Sequence, residues 1–360
     1  MESHSISDTA RSNIRDTVTI ALRHTPQYPT LLIYDTQSGL SSLLTEAYRS
    51  VLPQAYVLNY DDTPPDAILE AIDGLPPGSL AVLVQSSSFR LNRYRIRIEL
   101  FKQGLKVIEH PHLARMREEE YETYFQALAY DPAYYRTVGP LLKERISRAA
   151  RVRVLCGGTE LIYDSPFEEP KLNIGDYEGM KNIGGQFPIG EIFTEPREFS
   201  GVNGTVRLFA FGDVDFSVAV PDRPFTASIE RGVLVSSPDA PDAFREVLKQ
   251  IRAAEGTVWV RELGFGLNRA LTRDKRVSDI GSYERMCGIH LSLGAKHLQY
   301  KKADFPKKPG FHVDVFADAE RVEIDGETVF RNGRYEVPPS PVESPRPHGT
   351  DTGFELPAFK

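Results

Sequence analysis

Gly288-Ile289-His290-Leu291-Ser292-Leu293-Gly294, followed after a basic insert by Gly310-Phe311-His312-Val313-Asp314, decides how the chain is read. Two short apolar segments each carry a histidine, and the second adds a carboxylate two residues later. Side chains at i and i+2 of an extended strand point to one face. His312 and Asp314 therefore project together, with Phe311, Val313 and Val315 packing behind them. An imidazole beside a carboxylate is a donor pair for a first-row metal ion. His290 stands in an otherwise apolar run, where an unpaired imidazole is costly to bury. Taken singly, each histidine also fits a core position bonded to main chain. Together with two acidic segments upstream, the pair points to a metal site.

The first acidic segment is Asn182-Ile183-Gly184-Gly185-Gln186-Phe187-Pro188-Ile189-Gly190-Glu191-Ile192-Phe193-Thr194-Glu195-Pro196. Glu191 opens a short β-branched and aromatic run between two prolines, and the glycines before it permit close backbone approach. The second is Val258-Trp259-Val260-Arg261-Glu262-Leu263-Gly264-Phe265-Gly266-Leu267-Asn268. Glu262 is embedded there in an apolar strand, and buried glutamates need a cation or a metal. Arg261 points to the opposite face, so a salt bridge to Glu262 requires a more distant partner.

The whole chain sets the frame. Its 360 residues suffice for two ordinary domains. Hydrophobic content of 41% and charged content of 26% are those of a globular protein with a sizeable core. A net charge of -7 argues against a nucleic-acid partner, which calls for a basic excess. No apolar run is long enough to span a membrane, and the start, Met1-Glu2-Ser3-His4, lacks signal-peptide regions. Two cysteines, Cys156 and Cys287, make no disulfide framework, and neither stands in a C-x-x-C. The expectation is a cytoplasmic protein without membrane or nucleic-acid partners.

Periodicity divides the chain. Residues 1–26 read as a lead-in helix capped by Asp8. Continuous apolar strands at Thr30–Tyr34, Ala55–Leu58, Ser79–Val84 and Leu105–Ile108 then alternate with helices, which predicts a parallel sheet covered on both faces. No glycine-rich phosphate motif follows these strands. Ligands of such sheets bind at the carboxyl ends of strands. Gln85-Ser86-Ser87-Ser88 and Glu109-His110-Pro111-His112 occupy such ends, which nominates His110 and His112 as substrate-binding residues. Residues 116–150 read as connecting helices, with Pro132 suited to a first turn. From residue 151 closely spaced strands and Gly, Pro and Asp turns predict a mixed, largely β domain to residue 336. Asp325-Gly326 and Asn332-Gly333 mark two hairpins. Residues 164–190 read as a loop over the site. Residues 337–360 read as a proline-rich, extended or disordered tail without a catalytic part. The fold class is thus an α/β N-terminal domain over 1–150 with an open parallel sheet, then a largely β metal-binding domain over 151–336.

In its second half the chain resembles the dinuclear metallo-aminopeptidases of the aminopeptidase T and aminopeptidase S type. P-I-G-E-I-F-T-E-P, E-L-G-F-G-L-N, H-L-S-L-G and H-V-D match in that order, over roughly Asn182 to Val315. The resemblance implies Glu191, Glu262, His290, His312 and Asp314 as ligands of one or two divalent ions, Zn, Co or Mn. It implies Glu191 or Glu262 as metal bridge or proton acceptor, a small peptide or related amide as substrate, and a homodimer. Where these peptidases carry a tyrosine, seven residues after the first histidine, stands His297. A protonated His297 can donate to an oxyanion, with Tyr300 as a second candidate. Lys296, Lys301, Lys302, Lys307 and Lys308 line the same insert and suit either an anionic substrate or a solvated loop. The chain is also similar to the iron-dependent dioxygenases that open dihydroxypyridine rings. That likeness implies His290, His312 and Asp314 around one Fe(II) as the alternative, and a non-catalytic binding protein is the third reading.

Overall fold

A computed structural model of the chain describes residues 2–91, 94–296, 300 and 310–337. His297, Lys301, Lys302, Lys307, Lys308 and the proline-rich tail lie outside the described residues.

The chain opens with Glu2–Asp16 (α1), which continues through a π-helical turn to Ala21. Asp8 lies inside α1 and pairs with Arg11, so it is not the cap that its residue type suggests. Thr30–Tyr34 (β1), Tyr56–Asn59 (β2), Leu80–Val84 (β3) and Lys106–His110 (β4) form a parallel sheet in the order β4-β3-β1-β2. Gly39–Val51 (α2), Pro65–Asp73 (α3) and Ile96–Lys102 (α4) connect them. Alternate residues of β1 serve opposite faces. Leu31 and Ile33 pack with Ile68, Ile72 and Leu100 of α3 and α4, while Leu32 joins Ile14 of α1 and Leu44 and Tyr48 of α2. Burial on both faces is the reason these strands are apolar throughout.

Tyr121–Ala127 (α5) and Pro132–Arg148 (α6) are the helices expected within residues 116–150. Asp131 caps α6 by accepting from Tyr134 N at 3.1 Å, with Pro132 in the first turn. The second half is one large, largely antiparallel sheet. Its path uses Arg151–Cys156 (β5), Thr159–Asp164 (β6), Lys171–Asn173 (β7), Glu191–Thr194 (β9), Val202–Gly212 (β10), Val260–Gly266 (β11), Gly288–Gly294 (β12), His312–Ala317 (β13), Arg321–Ile324 (β14), Glu327–Arg331 (β15) and Arg334–Tyr335 (β16). The order is β16-β15-β14-β5-β6-β10-β13-β12-β11-β9-β7. Asp242–Glu255 (α7) packs on β12, and Ile280–Tyr283 (α8) precedes it. The Asp325-Gly326 and Asn332-Gly333 turns close the β14–β15 and β15–β16 hairpins, all four residues at positive φ, as such turns require.

Residues 164–190 are not the loop that their composition predicts. They contain β7 and a further strand, Ile183–Gln186 (β8), which pairs in parallel with β4 and adds a fifth strand to the first sheet. Gly184 sits at φ +97° where a Cβ would lie 1.9 Å from Val107 O, so the glycines that hide this strand from a propensity reading are what let it dock. From β8 the chain passes through Phe187 and Pro188 directly into β9 and Glu191.

Candidate metal centre

Four neighbouring strands, β9-β11-β12-β13, build the site. Pairing of β12 with β13 sets Ser292 opposite Asp314 and Gly294 opposite His312. Pairing of β11 with β12 sets Gly264 opposite His290, and pairing of β9 with β11 sets Glu191 opposite Gly266. Residues opposite one another share a face, and so do residues two apart. Glu191, Glu262, His290, His312 and Asp314 therefore project from one side of the sheet.

Side-chain geometry bears this out. His290 Nε2 lies 3.3 Å from Glu191 Oε1 and 3.4 Å from Glu262 Oε1. These three buried groups offer ligand atoms within 4.8 Å of one another, a spacing that can hold a metal ion. His312 Nε2 lies 3.5 Å from Asp314 Oδ1, and His312 Nδ1 is 3.1 Å from Ala295 O, which orients the ring. Ser292 Oγ accepts from Glu262 N–H at 3.0 Å and fixes the bulged backbone there. Gly264 is a cradle for the imidazole of His290: a Cβ on it would lie 2.0 Å from Nε2.

The electrostatics are those of a largely buried charged cluster, with His312 the one partly exposed member. Desolvation pulls the His290 imidazolium down, but hydrogen bonds and charge from Glu191, Glu262 and Asp314 outweigh it and raise it to about 10. The same opposition, with Asp314 as the main partner, raises His312 to about 9. Burial, aided by the charge of Glu191, lifts the Glu262 carboxyl to about 7. Burial also opposes ionisation of Glu191 and Asp314, yet Arg285 and His290 hold Glu191 low and His312 holds Asp314 low. Asp314 acts on Glu191 and His290, and His312 acts on Glu262, so the five groups are one electrostatic unit. Among the described residues His290 Nδ1 is buried without a hydrogen-bond partner, and Asp314 Oδ1 meets His312 Nε2 at 3.5 Å. Hard carboxylate oxygens with imidazole nitrogens fit a divalent first-row ion, and no thiolate enters the cluster.

The other nominated residues make contacts of their own. His110 is fully buried between two phenols, Nε2 2.7 Å from Tyr48 OH and Nδ1 2.9 Å from Tyr124 OH. Burial lowers its pKa to about 3. With both nitrogens engaged inside the core, it is a structural histidine and not part of a cleft wall. His112 caps a 3-10 turn at φ 59°, its Nε2 3.1 Å from Ser88 Oγ. Tyr300 donates to the carbonyls of Glu169 and Phe193, at 3.0 and 3.1 Å, and packs edge-on against Phe193. Its hydroxyl thus braces the β9 backbone. Lys296 approaches Glu195 Oε2 at 3.8 Å. Sequence reasoning missed Arg285, whose Nη1 is 3.5 Å from Glu191 Oε2. It sits in Ser282-Tyr283-Glu284-Arg285, where nothing in the local pattern marks an arginine as buried.

No protein-family model and no curated protein matches the chain. Solved structures share its fold, among them the following two. 2,5-dihydroxypyridine dioxygenase from Pseudomonas putida KT2440 aligns at 14% identity with a TM-score of 0.62, over 92% of this chain and 97% of that one. AmpT from Thermus thermophilus aligns at 14% identity with a TM-score of 0.53, over 91% of this chain and 99% of that one. At such identity the likeness carries the fold. Among the described residues no helix is long and apolar enough to cross a membrane.

Proposed function

We propose that the chain is a metal-dependent hydrolase that removes N-terminal residues from small peptides or cleaves a related amide. The observation that carries this reading is the buried Glu191–Glu262–His290 group with His312 and Asp314 on the same sheet face. A divalent ion held there supplies Lewis acidity toward an amide carbonyl and acidifies bound water. The residues do the rest. Glu191, Glu262, His290, His312 and Asp314 would hold the ion on one face of the sheet, the first three and Asp314 buried and His312 partly exposed. Glu191 or Glu262 would serve as metal bridge or proton acceptor. Glu191, held low by Arg285 and His290, is the better permanent anion.

A specific feature favours a second reading. His290, His312 and Asp314 on adjacent strands form a two-histidine, one-carboxylate set, which suits a mononuclear Fe(II) oxygenase that opens an aromatic ring. Metal analysis of protein purified without chelators, with aminoacyl-amide assays under air and under nitrogen, separates the two. Oxygen-independent hydrolysis with bound Zn, Co or Mn is the expected result. Bound iron without hydrolysis favours the oxygenase, and protein that takes up no metal leaves a binding role.

A further inference from the structure

A bulge in β11 decides which way Glu262 faces. Val260 lies opposite Leu293 of β12, and Leu263 lies opposite Leu291. Between these pairs two residues, Arg261 and Glu262, stand against one, Ser292. Residues opposite one another share a face, and so do Leu291 and Leu293, two apart on one strand. Val260 and Leu263 therefore both join the apolar side, although they are three residues apart. In a regular strand Val260 and Glu262 would share a face, and packing Val260 beside Leu293 would turn Glu262 away from His290. The extra residue resets the alternation. Val260 is fully buried, and Glu262 Oε1 still comes within 3.4 Å of His290 Nε2.

A bulge interrupts the ladder, and a buried N–H at such a place needs an acceptor. Ser292 supplies one: its Oγ takes the Glu262 N–H at 3.0 Å. Ser292 is fully buried, flanked by Leu291 and Leu293. It stands two residues from His290 and opposite Asp314, so its hydroxyl lies on the ligand side of the sheet. An alanine there would suit the apolar run and would leave the Glu262 N–H without this acceptor. We propose that Ser292 is a positioning residue, whose hydroxyl locks the bulge that aims Glu262 at the metal. This deepens the reading of the cluster as a metal centre and rests on it.

The test is Co2+ binding by the full chain, stripped by chelator and reloaded near neutral pH. Affinity is read by competition with a chelator and coordination by visible absorption. Ser292→Ala is expected to bind about tenfold more weakly than wild type, with a changed spectrum, and Ser292→Thr, which keeps the hydroxyl, to match wild type. In a Glu262→Ala background Ser292→Ala is expected to cost no further affinity, because the side chain it aims is gone. The same tenfold loss in both backgrounds overturns the proposal, and so does a folded Ser292→Ala with wild-type affinity. Should Ser292→Ala not fold, Ser292→Thr decides: wild-type affinity and spectrum support the lock, and a tenfold loss overturns it. Wild type that takes up no Co2+ overturns the metal-centre reading itself, a failure distinct from the others.

Discussion

At the scale of single residues, Glu262 is the most informative group. Its folded pKa of about 7 stands above the ordinary 4.5 because burial and Glu191 oppose its charge. A raised carboxyl contributes stability that is present below pH 4.5 and lost as pH climbs through 7. Glu262→Gln keeps the shape and removes the charge. Metal affinity is expected to fall by about 100-fold, while the metal-free protein above pH 7 gains on the order of 2 kcal/mol. Calorimetric titration and urea unfolding read the two effects separately. Unchanged metal occupancy would remove Glu262 from the ligand set. The histidines give a second expectation. In metal-free protein His290 and His312 hold their protons to about 10 and about 9, and an ion must displace both. Affinity therefore rises with pH by up to about 100-fold per unit between about pH 7.5 and 9, one factor of ten for each proton released, and more steeply below 7, where Glu262 also gives one up. A flat profile over that range would mean that neither imidazole ligates.

At the scale of elements, legibility in the sequence depends on how local each signal is. β1 and β3 are visible because both faces of each are buried, which makes the whole run apolar. His312 and Asp314 are visible because a strand alternates, and the hairpins at Asp325 and Asn332 because positive φ selects those residue types. β8 is invisible because Ile-Gly-Gly-Gln has no strand propensity and gains its place from β4, far away in sequence. The buried arginine beside Glu191 is equally non-local. Its position at the end of β4 suggests a cleft for His110, but α2 and α5 close over it with Tyr48 and Tyr124. That packing is testable. A base whose pKa is lowered to about 3 by burial stays neutral in the fold, while the unfolded chain takes up a proton below about 6.5. Stability should therefore fall as pH drops from 6.5 toward 3. His110→Phe strands the hydroxyl of Tyr48, whereas Tyr124 keeps Phe187 O at 3.3 Å. The variant is expected to lose about 1–3 kcal/mol at pH 7 and to show a shallower loss in acid, with metal content unchanged. Urea midpoints at pH 7 and 4.5 measure both. A steeper acid limb in the variant would contradict the buried-neutral assignment.

At the scale of the molecule, one apolar core runs from α1 and α2 through β5 and β10 to the site strands, so the halves do not pack independently. Polar ties cross at several points. Asn268 Nδ2 donates to Ala127 O at 2.8 Å and Ile189 O at 3.0 Å, and Arg115 meets the fully buried Asp279 at 2.8 Å. The final tie is Tyr335 of β16, whose hydroxyl reaches Gly266 O at 2.9 Å and Gly288 O at 3.0 Å. Those carbonyls lie at the paired ends of β11 and β12, the strands that carry Glu262 and His290. Tyr335 therefore clamps the site strands, and the proline-rich residues 338–360 come after it in sequence. Truncation after Val337 is expected to leave metal content, activity and melting temperature unchanged. Tyr335→Phe in the full chain is expected to lower stability by about 1–3 kcal/mol, because two buried carbonyls lose a shared donor. Thermal melts and metal analysis of the two variants side by side decide the matter. If the truncation behaves worse than Tyr335→Phe, the proline-rich segment has a part in the site that its composition does not suggest.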